Sequence, residues 1–170
     1  HHRDVGNIRA GYIYLLMAAF GTLCLLLAFG LLAGGTGGYT FAEIRTGTGI
    51  LPAVVFILAI LGAGSKAGLV PLHIWLPLAH PAAPSHVSAL MSGVMLKTAL
   101  YGLLRVTFDL LGEPLWWWGL IPLALGLATA IFGVVFAAVQ TDMKRLLAYS
   151  SVENIGVLFT GIGLAIVFHG

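Results

Sequence analysis

Hydrophobic positions form five long runs along the chain, separated by short segments rich in glycine, threonine, proline or charge. A helix needs about 20 apolar residues to cross the hydrocarbon core, and irregular backbone cannot face lipid because its polar groups would have no partners. Each run is long enough, so the pattern predicts membrane-spanning helices over residues 11–33, 50–76, 86–106, 115–139 and 146–168. The second helix is predicted to break near residues 62–71. The expected fold is an all-α polytopic transmembrane bundle, with one transmembrane domain over residues 1–170.

Composition identifies the bilayer as the solvent for most of this chain. Hydrophobic residues make up 59% and charged residues 8%, with a mean hydropathy of +1.02. The eight Lys and Arg residues are scattered along the sequence and the net charge is only +2, so no continuous basic face exists for a nucleic acid. Cys24, the one cysteine, excludes an internal disulfide and an ordinary four-thiolate iron-sulfur cluster. We therefore expect no cofactor here, and any electrons would travel in a partner.

The basic residues also predict an orientation. With five alternating spans, one face carries four basic residues and the other carries two: Arg3, Arg9, Lys144 and Arg145 against Arg45 and Arg105. Cytoplasmic loops are enriched in Lys and Arg, so the first face is predicted to be cytoplasmic in an inner cell membrane. Trp116, Trp117 and Trp118 open the fourth helix at the opposite face, where aromatic rings favour the headgroup level.

Three charged residues lie well inside the apolar runs, away from the ends of the runs. Lys97 is about 16 Å from the start of its predicted helix and Lys66 about 24 Å along its own, which places both near the membrane midplane. A lysine at this depth costs roughly 2.5 to 3.5 kcal/mol, so each is expected to face protein or water and to have a function. Glu153 is shallower, about 10 Å into its helix, and is either a proton entry or exit group or an interfacial carboxylate.

The backbone around Lys66 predicts an interrupted helix. Gly62, Gly64 and Gly68 flank the lysine, and Pro71 removes the amide that would bond to the carbonyl four residues earlier. Interrupted helices at bilayer depth line cavities or pack on protein, and in transporters they mark ion sites. Burial disfavours a charged lysine and a nearby carboxylate favours it, so Lys66 and Lys97 can form a proton relay. The alternative is a kinked structural helix whose lysine is permanently paired.

Histidines mark the proline-rich connection after the break. His73 and His86 are candidates for proton uptake because histidine titrates near neutral pH. His80 is expected to bond backbone groups freed by the nearby prolines. No metal site is predicted, because the spacings in this loop do not bring a recognisable ligand set together.

Two segments resemble a known family. These are the run from Gly64 to Thr98, GSKAGLVPLHIWLPLAHPAAPSHVSALMSGVMLKT, and the run from Gln140 to Gly156, QTDMKRLLAYSSVENIG. They are similar to the antiporter-like membrane subunits of complex I, Mrp-type antiporters and membrane-bound hydrogenases. The details around Ser85 and Glu153 resemble hydrogenase-4 component B and the formate hydrogenlyase membrane subunit most.

The resemblance implies a fold, a function and partners. The fold would be a fragment of a larger inverted-repeat antiporter-like fold, without the glutamate that pairs with the broken-helix lysine and without the second broken helix. The function would be proton movement through Lys66 and Lys97 in a hydrogenase or formate hydrogenlyase complex, with His86 as a lateral link and no redox active site in this chain. Expected partners are other membrane and peripheral subunits, the lipid bilayer, and H⁺ or Na⁺. Three alternatives remain: a complex I proton channel, an Mrp-type Na⁺/H⁺ antiporter subunit, and a scaffold bundle that only anchors soluble subunits.

Overall fold

The structure, a computed structural model, describes residues 5–34, 38–46 and 51–169. Every regular element within these ranges is helical, as the hydrophobic pattern predicts. The α-helices are α1 (Val5–Ala33), α2 (Phe41–Thr46), α3 (Pro52–Ala67), α4 (Leu76–Ala82), α5 (Ser85–Leu90), α6 (Leu96–Arg105), α7 (Leu120–Val139) and α8 (Met143–His169).

Within the described ranges, four helical stretches are long and apolar enough to cross a membrane: Val5–Ala33, Ser85–Leu110, Trp116–Val139 and Met143–His169. The remaining predicted helix, over residues 50–76, is divided between α3 and the turns that follow it. α3 has 16 residues, fewer than a membrane crossing needs. The short helices α2 and α4 lie in segments that the sequence pattern treats as connections, so the structure adds two elements to the prediction.

The break after α3 is narrower than predicted. α3 continues through Gly62 and Gly64 and ends at Ala67, so these two glycines do not interrupt the helix. Gly68 has a φ of 83°, in the left-handed region that glycine adopts most easily, and it closes α3; a cis bond joins Val70 to Pro71. Gly62 serves a different purpose, since a Cβ there would lie 3.0 Å from the carbonyl oxygen of Gly21. It allows α1 and α3 to approach closely.

Protein groups bond the backbone that the break exposes. The indole Nε1 of Trp75 donates to the carbonyl of Ser65 at 2.8 Å, and the amide of Val70 donates to Thr129 Oγ1 at 3.1 Å. Ser65 and Thr129 are fully buried. Non-helical backbone at membrane depth persists only when protein supplies such partners.

The stretch Ser85–Leu110 contains two wider turns. α5 and α6 are joined by the π-helical segment Met91–Met95, and a second one, Val106–Leu110, follows α6. π-helical turns inside α-helices are frequent at functional sites because they reposition side chains and carbonyls.

α7 and α8 form the tightest helix pair, through glycines spaced seven residues apart. A Cβ added at Gly126 would lie 2.5 Å from the amide nitrogen of Thr160, and one at Gly156 would lie 2.4 Å from that of Ala130. Gly119, Gly133 and Gly163 make similar backbone contacts. Small residues allow helices in a membrane to approach until their backbones touch, which strengthens van der Waals packing.

The end of the bundle that contains the tryptophans is held by aromatic and ionic contacts. Trp118 is buried and stacks on Phe56 with 5.1 Å between ring centroids, so it belongs to the core and not to the predicted interfacial belt. Trp116 and Trp117 are exposed, as such a belt requires. Arg45 of α2 donates two hydrogen bonds of 2.6 Å to Asp109, and this interaction raises the pKa of the Arg45 guanidinium.

Candidate functional site

Lys66 lies in the last turn of α3, directly before the break. Its side chain is half-buried, and Nζ donates to Thr22 Oγ1 of α1 at 3.3 Å. It lines a cavity of about 330 Å³ whose other described residues are apolar or neutral, among them Leu25, Phe29 and Thr98. The partial negative charge at the carboxyl end of a helix favours a cation at this position.

Lys97 is the second residue of α6, directly after the first π-helical segment. Nζ donates to the carbonyl oxygen of Ser92 at 3.2 Å. The side chain is exposed on this chain. It lines a recess of about 470 Å³, together with the polar side chains of Ser92, Ser151 and Asn154.

The two lysines lie in separate cavities. Lys66 faces a cavity lined on the Ser85–Leu110 helix by Met95, Thr98, Ala99 and Gly102, whereas the Lys97 recess is lined by Ser92, Gly93 and Leu96 of the same helix. The helix therefore stands between the two cavities. The predicted relay needs groups that connect them around this helix.

A third recess adjoins that of Lys97. It has a volume of about 340 Å³ and is lined mainly by hydroxyl groups, His80 and Lys144. Ser92 and Ser151 line both recesses, so the recess of His80 and the recess of Lys97 meet at these two side chains. Lys144 is fixed by donation from Nζ to the carbonyl of Ala83 at 3.2 Å.

The histidines differ in their surroundings. His80 is buried and its Nδ1 lies 2.6 Å from Ser88 Oγ, so the expected bond to freed backbone is wrong. His73 lies edge-on to the Phe132 ring at 4.6 Å, and its Nδ1 is buried without a hydrogen-bond partner among the described residues. His86 is exposed at the start of α5. No group of three or more His, Cys, Asp or Glu residues able to hold a metal occurs in the described ranges.

Glu153 lies apart from both lysines. A Cβ added at Gly133 would lie 2.9 Å from the Glu153 Cβ, which shows that this part of α8 packs tightly against α7. Glu153 lines neither the Lys66 cavity nor the Lys97 recess, while its neighbour Asn154 does line the latter.

Sequence reasoning missed the neutral polar residues of the site. Ser88 and Ser92 are four residues apart on one helix, and Ser151 and Asn154 are three apart on another, which is the spacing of side chains on one helix face. That spacing is the signal that identifies them. Thr22 gives no comparable signal, since only the packing of α1 on α3 brings it to Lys66.

A family model matches nearly the whole chain. The model named "NADH:quinone oxidoreductase/Mrp antiporter, TM" matches residues 1–169. The chain belongs to that family of membrane subunits. It is 47% identical to hydrogenase-4 component B of Escherichia coli over 171 residues, and 38% identical to formate hydrogenlyase subunit 3 of the same organism over 164 residues.

The match covers most of this chain but a small part of its relatives. Those two alignments cover 97% and 94% of the chain, but 25% and 26% of the relatives' own lengths. Among solved structures, the archaeal membrane-bound sulfane sulfur reductase matches with a TM-score of 0.79 and 26% identity, over 96% of this chain and 34% of that chain. The chain is therefore an antiporter-like, multi-pass membrane segment.

Proposed function

We propose that this chain is part of a proton-translocating membrane subunit in a redox complex of the hydrogenase-4 or formate hydrogenlyase type. The observation that carries the proposal is the position of Lys66. It lies at the end of an interrupted helix, lines a cavity, and has a neutral hydroxyl as its hydrogen-bond partner. The names of two relatives, hydrogenase-4 component B and formate hydrogenlyase subunit 3, support this type of complex.

The environment of Lys66 suits a group that changes protonation. A lysine locked in an ion pair would keep its proton, because the carboxylate favours the charged form. Lys66 forms no ion pair with any described residue, so the charge on Nζ depends on groups brought to the cavity. We propose that Nζ accepts and releases a proton as that neighbouring charge changes.

Lys97 is proposed as the second proton-transfer group. Its Nζ donates to the Ser92 carbonyl, and its recess shares Ser92 and Ser151 with the hydroxyl-lined recess of His80. Water bridging these side chains would connect His80 to Lys97, since a water with several polar partners is readily held in such a recess. We place His86, exposed at the start of α5, as the group that exchanges protons with the aqueous phase.

His73 and Glu153 are proposed as further proton-transfer groups, outside the two lysine cavities. His73 follows the break and has an unpartnered buried Nδ1, which is available to a proton or a water. Glu153 faces the α7–α8 contact, so we propose it as an exit group outside the lysine recess.

The redox step is proposed to take place in other subunits. This chain supplies helices, lysines and hydroxyl groups, and its one cysteine, Cys24, is buried. Partner subunits would hold the electron carriers in the inner cell membrane or on its cytoplasmic face.

Lys66→Met in the full-length protein tests the proposal. We expect the complex to assemble at normal levels and its redox-driven proton uptake into inverted vesicles to fall at least about tenfold, because the proton-carrying group is gone. Thr98→Val is the matched control, since Thr98 lines the same cavity but bonds only to Val94 of its own helix. Normal proton uptake in an assembled Lys66→Met complex would falsify the relay. Loss of both assembly and proton pumping would favour the scaffold function.

The alternatives to a hydrogenase-type complex are distinguished by the partners. Affinity purification of the full-length protein in mild detergent is expected to recover a nickel-iron hydrogenase large subunit. Recovery of NADH-oxidising subunits would instead indicate a complex I channel. Recovery of small membrane subunits alone, together with sodium-dependent pH changes without an electron donor, would indicate an Mrp-type antiporter.

A further inference from the structure

Two adjoining recesses lie at the end of the bundle where α1 and α8 begin. The first has a volume of about 460 Å³ and is formed by three helices. Asn7 and Arg9 come from α1, Leu78 and Pro81 from α4, and Arg145 from the first turn of α8. Two guanidinium groups therefore share one concave site with an apolar wall.

The second recess continues from the first as an apolar groove. It has a volume of about 370 Å³ and shares Asn7, Ala10 and Ala82 with the cationic recess. From there it extends along α1 past Gly11 to Tyr14, and Met91 forms part of the opposite side. A cationic recess at the membrane face thus opens into a groove directed toward the bilayer interior.

The charge of the first recess is unbalanced within the described ranges. No acidic residue of those ranges lines either recess, and the ion pairs that they contain involve Arg45 and Arg105 at the other end of the bundle. Arg9 and Arg145 also belong to the face that the Lys and Arg distribution assigns to the cytoplasm. The cytoplasmic leaflet is the one rich in anionic lipid.

We propose that these recesses form a binding site for an anionic phospholipid, independent of proton transfer. The phosphate of the headgroup binds Arg9 and Arg145, whose planar guanidinium groups match phosphate oxygens, and Asn7 offers an amide donor. One acyl chain lies in the groove between α1 and the start of the Ser85–Leu110 helix. A protein helix would fill the apolar groove, but it would leave two arginines without a counterion.

The charge part of the proposal is tested on the full-length protein in its purified complex. The probes are nanodiscs or mixed micelles that contain phosphatidylglycerol or phosphatidylcholine with the same acyl chains, and bound lipid is measured by native mass spectrometry. Phosphatidylglycerol is expected to bind selectively. Each arginine near an anionic surface contributes about fivefold, so the double variant Arg9→Gln/Arg145→Gln is expected to bind it about thirtyfold more weakly. Arg45→Gln carries one such charge change at the opposite face and is expected to bind normally.

The proposal that an acyl chain occupies the apolar groove is tested by filling the groove with a side chain. Gly11 lines the groove, and a Cβ there meets no atom within 4 Å, so Gly11→Leu places a side chain in the groove without a backbone clash. Gly30→Leu is the matched control, because Gly30 is on the same helix, outside the groove, and its Cβ also meets nothing within 4 Å. We expect Gly11→Leu to assemble and to lose bound phosphatidylglycerol, while Gly30→Leu retains it.

Four results would overturn the proposal. Equal retention of phosphatidylcholine, or unchanged binding in the double arginine variant, would remove the role of charge. Displacement of phosphatidylglycerol by inorganic phosphate, with Gly11→Leu still binding normally, would indicate a site for free anions. Failure of Gly11→Leu to assemble while Gly30→Leu assembles would show that a protein helix occupies the groove.

Discussion

Lys66 and Thr22 form the polar contact between α1 and α3 at the cavity. Thr22 Oγ1 donates its own proton to the carbonyl of Ala18 at 2.8 Å, so its lone pairs are left to accept from Lys66 Nζ. The hydroxyl therefore stabilises the charged lysine specifically. In the proposed relay, Thr22 is the hydroxyl that holds Lys66 Nζ at the cavity.

Thr22→Val removes that acceptor with little change in shape. Hydrogen bonds to charged groups contribute about 1.5 to 3 kcal/mol, so we expect redox-driven proton uptake to fall about tenfold while the complex still assembles. Proton uptake into inverted vesicles, normalised to assembled protein, measures the change. Thr98→Val should leave uptake unchanged, and equal loss in both variants would contradict the role of Thr22.

The charged residues of the site were predictable, whereas the hydroxyls of Thr22, Ser65 and Thr129 were not. Lys66 and Lys97 stand out because their insertion into hydrocarbon is costly, whatever their neighbours are. Ser65 and Thr129 are neutral and common in apolar helices, and their importance arises from bonds to Trp75 and Val70, which only the folded chain brings near. The exposure of Lys97 also depends on which helices pack against it.

The contact between α7 and α8 is visible in the sequence as a pattern of glycines along each helix. Gly119, Gly126 and Gly133 repeat every seven residues on one helix, and Gly156 and Gly163 do so on the other. This repeat is visible in the sequence and predicts a close helix contact. Similarly, Thr40 and Glu43 form a reciprocal capping box, a sequence pattern that marks the start of α2. The hydrogen bond from the Thr40 side chain lowers the pKa of the Glu43 carboxyl.

Gly126→Leu should separate α7 from α8. A Cβ at this position would lie 2.5 Å from a backbone nitrogen, which cannot move without displacing the helix. We expect destabilisation of about 3 kcal/mol or more and a large loss of folded protein in the membrane. Detergent-extractable folded protein and its thermal midpoint measure this. Gly161→Leu, where a Cβ meets nothing within 4 Å, is the control and should behave as wild type.

Thr129→Val tests the attachment of the break to α7. Thr129 Oγ1 accepts from the Val70 amide at 3.1 Å, so replacing this fully buried side chain by valine would leave the amide of the half-buried Val70 without this acceptor. An unmet buried donor costs about 1 to 3 kcal/mol, so the thermal midpoint should fall. Thr98→Val, which loses only a bond to its own helix, should show no comparable drop. Equal midpoints in the two variants would mean that Val70 finds another partner.

At the scale of the whole molecule, contacts between helices sort the helix ends into two groups. The starts of α1 and α8 and the end of α4 meet around Arg9, Arg145 and Pro81. At the other end, Phe56 near the start of α3 stacks on Trp118, and Phe108 lies 6.2 Å from His169 at the end of α8. α3, the break and α4 together therefore carry the chain from one face to the other, although α3 alone is too short.

This grouping predicts which residues are accessible from each side of the membrane. Thr141, between α7 and α8, belongs to the arginine-rich end, and Glu113 belongs to the tryptophan end; both are exposed. In a cysteine-free background, Thr141→Cys should react with an impermeant maleimide from the cytoplasmic side, and Glu113→Cys from the opposite side. Labelling of intact cells and of inverted vesicles, followed by mass measurement, distinguishes the two.

Two patterns of labelling would contradict the arrangement. If both cysteines reacted from one side, the interrupted segment would return to the face it left, and the Lys66 cavity would not lie between the two aqueous phases. If the sides were exchanged, the arginine-rich end would face away from the cytoplasm. The anionic-lipid site would then lie in the other leaflet, because Arg9 and Arg145 move with that end of the bundle.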